Sequence, residues 1–308
     1  MQIPPRLSAH FKARQPSGIR LAQQAFARRT DGCVAINTAI GNVRLPMHPA
    51  LRARLAAMGQ PGGGFADGVV PYTATAGLDE ANAAVLQIIR ASGADPTGLY
   101  SQITEGGSQA MELTVLGACG PAGGLQYPLL MLDPAYTNYT AMARRTGRRV
   151  VSVCRTLGED GTFSVPGTAE IEAVIEVTHP GALVVVPYDN PTGQLIGHDA
   201  LLDLARLCVK HGLWFISDEA YRELYYGQTA ERPSSIWHIT DAEVPGIEGR
   251  RISIETASKV FNGCGLRIGA LVTDNREFHE RAVAEQTANL CASALGQHVF
   301  GALAHEPV

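Results

Sequence analysis

Residues 183–221, LVVVPYDNPTGQLIGHDALLDLARLCVKHGLWFISDEAY, alternate between two kinds of pattern. Leu183–Tyr188 and Trp214–Ser217 are short, almost continuously apolar runs, which are typical of strands buried on both faces. Between them, His198–Lys210 repeats its apolar residues at helical spacing, and Gly212 follows where a helix commonly ends. A strand, a helix and a second strand in this order predict one unit of a parallel, doubly wound α/β sheet.

The same alternation extends along the chain from about residue 98. Further strands are predicted at Tyr100–Ile103, Leu129–Leu132, Val150–Cys154, Ile252–Thr256 and Ala270–Thr273. Further helices are predicted at Ser108–Ala118, Thr168–Val177 and Glu285–Leu303. The predicted fold class is therefore α/β, with a mostly parallel sheet flanked by helices.

Residues 1–45 are different, because they are basic and polar with only scattered helical character. One short extended piece is predicted at Val34–Thr38. Three consecutive glycines at 62–64 and Pro71 mark a loop-rich stretch before the sheet begins. We therefore expect an N-terminal segment, residues 1–45, and a larger domain over residues 46–308.

The composition argues against several kinds of function. The 308 residues are 45% hydrophobic and 18% charged with a net charge of −4, so neither nucleic acid nor a membrane surface is expected as a partner.

The six cysteines have no CxxC spacing, which predicts buried, reduced thiols and no disulfide framework or metal site. No apolar run is long enough to span a bilayer, and the first residues lack the apolar core of a signal peptide, so we expect a cytoplasmic protein.

Several predicted strands end beside residues that suit ligand binding, and ligands of such sheets bind at the carboxyl ends of the strands. Glu105–Ala110 joins a strand to a helix through two glycines, so its backbone N–H groups could bind an anion, although a tight turn explains the pattern equally well. Tyr136, in the sequence PAY, could stack on a flat ring, whereas alone it would be an ordinary core or surface tyrosine. Asn190, in DNPTG, could donate to a ligand oxygen, while the same residues favour a turn.

Two further strand ends carry charged residues. Asp218, in the sequence DEAY, follows a very apolar strand, where a carboxylate needs a cationic partner unless it caps a helix. Lys259, in TASK, stands beside small hydroxyl residues, and Arg267 could bind a phosphate through two hydrogen bonds, although each charge alone could lie on the surface. Together these strand ends predict a site for a flat, cationic, phosphorylated ring that bonds to a lysine, which describes pyridoxal phosphate (PLP).

The order NPTG, DEAY and SK, with an arginine following, resembles that of class I and II aminotransferases, PLP enzymes of fold type I. The resemblance covers roughly residues 34–275. It implies an aspartate-aminotransferase-like fold, in which residues 46–308 form the large PLP-binding domain and residues 1–45 contribute to a small domain.

The resemblance also implies a role for each site residue. Lys259 would form a Schiff base with the cofactor and act as general base, and Asp218 would pair with the ring nitrogen. Asn190 and Tyr221 would hydrogen-bond the ring oxygen, with Asn190 also near the substrate, and Tyr136 would stack on the ring. The expected phosphate ligands are Gly107, Ser108, Gln109, Thr256, Ser258 and Arg267.

Two matches concern the subunit partner and the substrate. Tyr72, in PYTATAG, resembles the tyrosine that reaches the phosphate of the neighbouring subunit, which implies a homodimer with shared active sites. Gly41, in AIG, resembles a glycine close to the substrate.

The chain departs from the family pattern after Lys259. Family members continue into the second half of the small domain, whose arginine binds the substrate carboxylate, whereas no arginine follows Arg281 here. We interpret this as a truncation that leaves the small domain incomplete, and recognition of the carboxylate by other residues is the alternative. Glu105, a negative charge beside the expected phosphate site, has no explanation in the sequence.

The predicted function is transfer of an amino group from an amino acid to a 2-oxo acid in a biosynthetic reaction, through a Lys259 Schiff base. One alternative is a PLP-dependent β-elimination lyase on the same fold. Another is a truncated, non-catalytic PLP-binding homologue, which the missing arginine suggests. A nucleotide-dependent dehydrogenase is set aside because no GxGxxG follows a first strand.

Overall fold

The computed structural model describes residues 5–36, 38, 41, 43–225 and 233–307. Its contacts divide the chain into two units, Met1–Asn42 and Val43–Val308. The predicted contribution of the first unit to a small domain stays a prediction.

The N-terminal unit contains two short helices, α1 (Ala9–Lys12) and α2 (Gly18–Ala27), each preceded by a serine. The hydroxyl groups of Ser8 and Ser17 accept hydrogen bonds from backbone N–H groups in the first turn, which is the usual way a helix begins. None of the described residues of this unit is buried. The extended piece predicted at Val34–Thr38 pairs with no strand in its described residues, and Asn37 lies outside them.

The second unit is built on a seven-stranded sheet, and its strands are β1 (Tyr100–Glu105), β2 (Leu129–Asp133), β3 (Val150–Cys154), β4 (Ala182–Val185), β5 (Trp214–Asp218), β6 (Arg251–Thr256) and β7 (Ile268–Thr273). Their order across the sheet is β1-β7-β6-β5-β4-β2-β3. Strand β7 runs antiparallel to both neighbours, and all other pairs are parallel. The prediction of a mostly parallel α/β sheet is confirmed.

The helices of this unit are α3 (Pro49–Ala57), α4 (Asp79–Ala91), α5 (Gly106–Ala118), α6 (Asn138–Arg145), α7 (Thr168–Thr178), α8 (His198–His211), α9 (Arg276–Gln286) and α10 (Ala294–Gly301). They cover both faces of the sheet with separate apolar cores. Along β2, Leu130 and Leu132 belong to one core, and Leu129 and Met131 belong to the other. Because side chains alternate along a strand, burial on both faces requires continuously apolar runs, which is the pattern seen in the sequence.

Two predicted elements differ from the structure by more than two residues at an end. Strand β4 ends at Val185 and not at Tyr188, since Pro187 has no N–H group for a strand ladder and the chain turns away there. The helix predicted over Glu285–Leu303 is not continuous, because this range contains only the last two residues of α9 and then α10 as a separate helix. Leu290 between them has a φ of +66°, which no α-helix accommodates.

The cysteine prediction is partly wrong as well. Of the six cysteines only Cys208 is buried, while Cys33 and Cys154 are exposed. The remaining three are partly exposed. In the described ranges, no helix combines the length and the apolar character that crossing a bilayer requires.

The topology brings the predicted ligand-binding loops to one edge of the sheet. Strands β2, β4, β5 and β6 are parallel, so their carboxyl ends share an edge. Because β1 and β6 are both antiparallel to β7, the carboxyl end of β1 lies at this edge too.

Candidate active site

The turn from β1 into α5 forms an anion-binding surface from backbone groups. Gly106 has a φ of +71°, a conformation that glycine adopts without strain, and α5 starts at this residue. No described side chain caps α5, and its first turn contains no acidic residue. The N–H groups of Gly107 and Ser108 and the positive end of the helix dipole therefore face the carboxyl edge of the sheet.

Glu105 has a structural role that the sequence did not reveal. Its Oε1 accepts a hydrogen bond of 2.8 Å from the N–H group of Ser293, which precedes α10. Its own N–H group donates to Oε1 of Gln109 at 2.7 Å, so the Gln109 side chain holds the turn together. The carboxylate of Glu105 thus fastens the anion-binding turn to the C-terminal helix.

Arg267 and two hydroxyl groups lie against this turn. A Cβ atom added to Gly106 would lie 2.6 Å from Nη2 of Arg267, which shows how closely the guanidinium group packs on the glycine. One added to Gly107 would lie 3.7 Å from Cβ of Thr256. Oγ1 of Thr256 donates to Oγ of Ser258 at 2.8 Å, so both hydroxyl groups lie at the end of β6 beside the turn. Backbone N–H groups, a guanidinium group and hydroxyl groups together fit a phosphate.

Gly269 is a site residue that sequence reasoning missed. It lies in β7 opposite Thr256, and an added Cβ atom would come within 2.5 Å of Gly106 C and Gly107 N and 2.7 Å of Glu255 O. All three are backbone atoms of the turn or of β6, so no side chain could rotate away to make room. The absence of a side chain at this position lets the turn approach the sheet.

We predict that Gly269→Ala displaces the anion-binding turn and weakens PLP binding about tenfold or more, because overpacking of this kind costs about 1–3 kcal/mol. Gly265→Ala is a matched control, since an added Cβ atom there meets nothing within 4 Å. The measurement is a PLP titration of both variants, with melting curves of the cofactor-free proteins to confirm folding. Equal PLP affinity of the folded Gly269→Ala variant and the wild type would contradict this account of the turn.

Asp218, at the end of β5, is paired with a tyrosine that sequence reasoning also missed. Tyr139 in α6 donates its hydroxyl group to Oδ2 of Asp218 at 2.5 Å, and the N–H group of Ala220 donates to Oδ1 at 3.0 Å. Burial nevertheless raises the pKa of Asp218 above its ordinary value, because these hydrogen bonds only partly replace water, and the charge of Glu255 raises it further. A cation bound against Asp218 would offset this cost.

Two more tyrosines line the space beside Asp218. The Tyr136 ring meets the Tyr139 ring edge to face, with 5.4 Å between centroids. Burial raises the pKa of Tyr221, and the charge of Asp218 raises it further, so the phenol keeps its proton and can donate a hydrogen bond.

Lys259 lies in the loop after β6, with its ammonium nitrogen 5.9 Å from the centroid of the Tyr221 ring. The chain contains only three lysines, Lys12, Lys210 and Lys259. Lys210 is exposed on α8 and forms an ion pair with Glu172 at 2.7 Å. Lys259 is the lysine that the fold places at the carboxyl edge of the sheet.

Three predicted site residues stand apart from this cluster. Asn190 is partly buried in the loop after β4, at the same edge of the sheet. Tyr72 is 80% exposed, so its ring makes little contact with its own chain. Gly41 is exposed and belongs to the N-terminal unit, so its predicted place near the substrate stays a prediction, and its neighbours Ala39, Ile40 and Asn42 lie outside the described residues.

The backbone that follows Tyr72 is held by two buried glutamines. Gln286 donates its amide group to Thr75 O at 3.1 Å. Gln297 donates to Oγ1 of Thr73 at 3.0 Å and accepts from the N–H group of Leu78 at 2.7 Å. Tyr72 therefore projects from a fixed stretch of chain.

The residues present fit PLP. The turn with Arg267 suits the phosphate, Asp218 suits a cationic ring nitrogen, and Lys259 suits covalent attachment. These groups come from separate segments of the chain and meet at one edge of the sheet.

A model of the family "Aminotransferase class I and II" matches residues 45–307. Among characterised proteins, the chain is 28% identical over 267 residues to an aspartate/prephenate aminotransferase of Thermus thermophilus, covering 85% of this chain and 63% of that protein. It is 31% identical over 205 residues to a 2-aminoadipate transaminase of the same species, covering 66% of this chain and 48% of that protein.

Solved structures agree on the fold. The Thermus thermophilus aspartate aminotransferase with maleate superimposes with a TM-score of 0.77 at 23% identity, covering 97% of this chain and 73% of that one. An aspartate aminotransferase of Thermotoga maritima gives a TM-score of 0.78 at 22% identity, covering 97% and 75%. The chain spans less than two thirds of the length of the two sequence relatives.

Proposed function

The chain belongs to the class I and II aminotransferase family, and from that premise we propose that it is a PLP-dependent enzyme that transfers an amino group from an amino acid to a 2-oxo acid. The observation that carries the proposal is that Lys259, Asp218 and the anion-binding turn with Arg267 lie at one edge of the sheet. An anion site, a partly desolvated carboxylate and a lysine are the three groups that such a cofactor needs.

The phosphate end is held by fixed donors. The N–H groups of Gly107 and Ser108, the hydroxyl groups of Thr256 and Ser258, and the guanidinium group of Arg267 would bind it. Bound PLP supplies an electron sink for the pair of electrons left when the Cα–H bond of the amino acid breaks.

The ring end is held by Asp218. Burial raises the pKa of this carboxyl group, and a protonated ring nitrogen would supply a positive partner that offsets the cost of burying its charge. Tyr139 fixes the orientation of this carboxylate through its hydrogen bond. Tyr136 would cover the ring face, and Tyr221 and Asn190 would donate hydrogen bonds to the ring oxygen.

Lys259 has two tasks in this proposal. In the resting enzyme it holds the cofactor covalently. Its Nζ atom would also act as the base that removes the α-proton of the amino acid and later returns a proton to complete the transfer.

We also propose that the enzyme acts as a homodimer in the cytoplasm. The exposed ring of Tyr72, on backbone that Gln286 and Gln297 hold fixed, is suited to contribute to the phosphate site of a second copy. Sharing of the site would make PLP affinity depend on association of the subunits.

The proposal predicts amino-group transfer in a direct assay. The PLP-loaded protein is incubated with single amino acids, including the aspartate and 2-aminoadipate that occur in the relatives' names, and a 2-oxo acid. We expect a new amino acid and a new 2-oxo acid in equal amounts, and we expect the Lys259→Ala variant to produce neither.

The assay separates this proposal from its alternatives. Ammonia with pyruvate, formed from a substrate that carries a leaving group, would identify a β-elimination lyase. PLP bound with no reaction on any amino acid would favour a non-catalytic PLP-binding protein.

A further inference from the structure

A buried ion pair joins the ends of two strands beside the candidate active site. Arg155 directly follows β3, and its Nη1 lies 2.7 Å from Oδ2 of Asp189, in the loop after β4. The two side chains are only 3% and 1% exposed. Strand β2 lies between β4 and β3 in the sheet, so the pair crosses over the end of β2.

Arg155 therefore contacts two of the predicted ligand-binding loops. Its N–H group donates to the carbonyl oxygen of Asp133 at 2.6 Å, at the start of the loop that carries Tyr136. Its guanidinium group binds Asp189, the residue before Asn190. One arginine thus links the loop of the proposed ring-stacking residue to the loop of the proposed ring-oxygen ligand.

Asp189 organises the turn around Asn190. Its Oδ2 accepts hydrogen bonds from the hydroxyl group of Thr192 and, at 3.4 Å, from the N–H group of Thr192. Its backbone oxygen accepts from the N–H group of Gly193 at 2.9 Å, and its own N–H group donates to Gln194 O at 2.9 Å. The position of Asn190 therefore depends on where Asp189 is held.

A contribution to folding stability does not by itself explain why this ion pair is buried here. Moving two charges out of water costs more than many buried ion pairs return. Oδ1 of Asp189 and Nε of Arg155 are also buried without a hydrogen-bond partner among the described residues, which adds to the cost. An apolar pair could fill the same space, but it could not fix the two loops in one register.

We propose that Arg155 is a positioning residue that acts through Asp189 to hold Asn190 in place to donate to the ring oxygen of bound PLP. The inference rests on the proposed function. Arg155 itself touches neither cofactor nor substrate in this assignment.

The test is a pH titration of the visible absorption of the PLP-loaded protein. A donor at the ring oxygen favours the deprotonated form of the bound chromophore, so losing it moves the spectral transition to higher pH. We expect Asn190→Ala to move it by about one pH unit, in keeping with one hydrogen bond to a charged group. The double variant Arg155→Met with Asp189→Asn should move it in the same direction, because it frees the turn without leaving a lone buried charge.

Three further variants separate positioning from general destabilisation. Arg155→Lys keeps the charge and should restore most of the wild-type transition. Arg251 and Asp274 form a similarly buried pair at 2.7 Å, at the opposite edge of the sheet, so Arg251→Met with Asp274→Asn should lower the melting temperature without moving the transition. Adding Asn190→Ala to the Arg155 double variant should give no further shift, since both act through the same hydrogen bond.

A double variant at Arg155 and Asp189 that binds PLP with the wild-type transition, while Asn190→Ala shifts it, would overturn the inference and leave the proposed function standing. No shift in Asn190→Ala would overturn the role of Asn190 and the inference with it. Failure of the wild-type protein to bind PLP would overturn the proposed function itself.

Discussion

Lys259→Ala is expected to abolish covalent PLP binding and to lower amino-group transfer at least about a thousandfold, because the variant lacks both the attachment point and the base. The visible absorption band of the PLP-loaded wild type should be absent from the variant. The fold should persist, since Lys259 is a partly exposed loop residue and is not part of either apolar core.

The small number of lysines makes this prediction unusually well controlled. Lys210→Ala removes an exposed lysine near the end of α8, whose ion pair with Glu172 of α7 involves none of the site residues. Lys12→Ala removes the remaining one, in α1. Both variants should keep the absorption band and the transfer rate, and loss of the band in either of them would point to another attachment site.

Asp218→Asn is expected to weaken PLP binding by about 10- to 100-fold, which corresponds to losing one hydrogen bond between charged partners. Transfer should fall further, because an amide does not keep the ring nitrogen protonated. The measurements are a PLP titration and single-turnover kinetics with an amino acid that the wild type accepts.

In the cofactor-free protein, Asp218→Asn should become stabilising as the pH rises, whereas it weakens PLP binding. Since the folded protein raises the pKa of Asp218, the favourable contribution of this residue to stability is present below its unfolded pKa. That contribution is lost as the pH rises through the folded pKa. As the pH rises, the melting temperature of the Asp218→Asn variant should therefore increase relative to that of the wild type. A relative decrease would mean that Asp218 has a cationic protein partner.

Tyr139→Phe is the matched variant for this residue. It keeps the carboxylate but removes the hydrogen bond that lowers the pKa of Asp218, so that pKa should rise further. The pH below which PLP binding is lost should then be higher than in the wild type. Tyr136→Phe removes a hydroxyl group that accepts a hydrogen bond from Asn138, and it should leave this pH unchanged.

The features that could be predicted from the sequence are those that lie close together along the chain. Strand, helix and stop signal follow one another in residues 183–221, and each cofactor motif is a few residues long. Since parallel strands place their carboxyl ends at one edge, the order of motifs was enough to expect that they meet.

The features that were missed depend on residues far apart in the sequence. Tyr139 and Asp218 are separated by 79 positions, and Glu105 and Ser293 by 188. Gly269 has no motif of its own, because its importance comes from the turn that packs on it. The break at Leu290 was missed because its neighbours continue an apolar, helix-like pattern, and only the backbone angle reveals it.

The most direct test of the central claim is to identify the residue that carries the cofactor. The wild-type protein is loaded with PLP, reduced with borohydride, digested and mapped by mass spectrometry. The account predicts one reduced phosphopyridoxyl group on the peptide that contains Lys259 and none on those that contain Lys12 or Lys210. Modification of another lysine in preference to Lys259, or no modification of any lysine at saturating PLP, would contradict it.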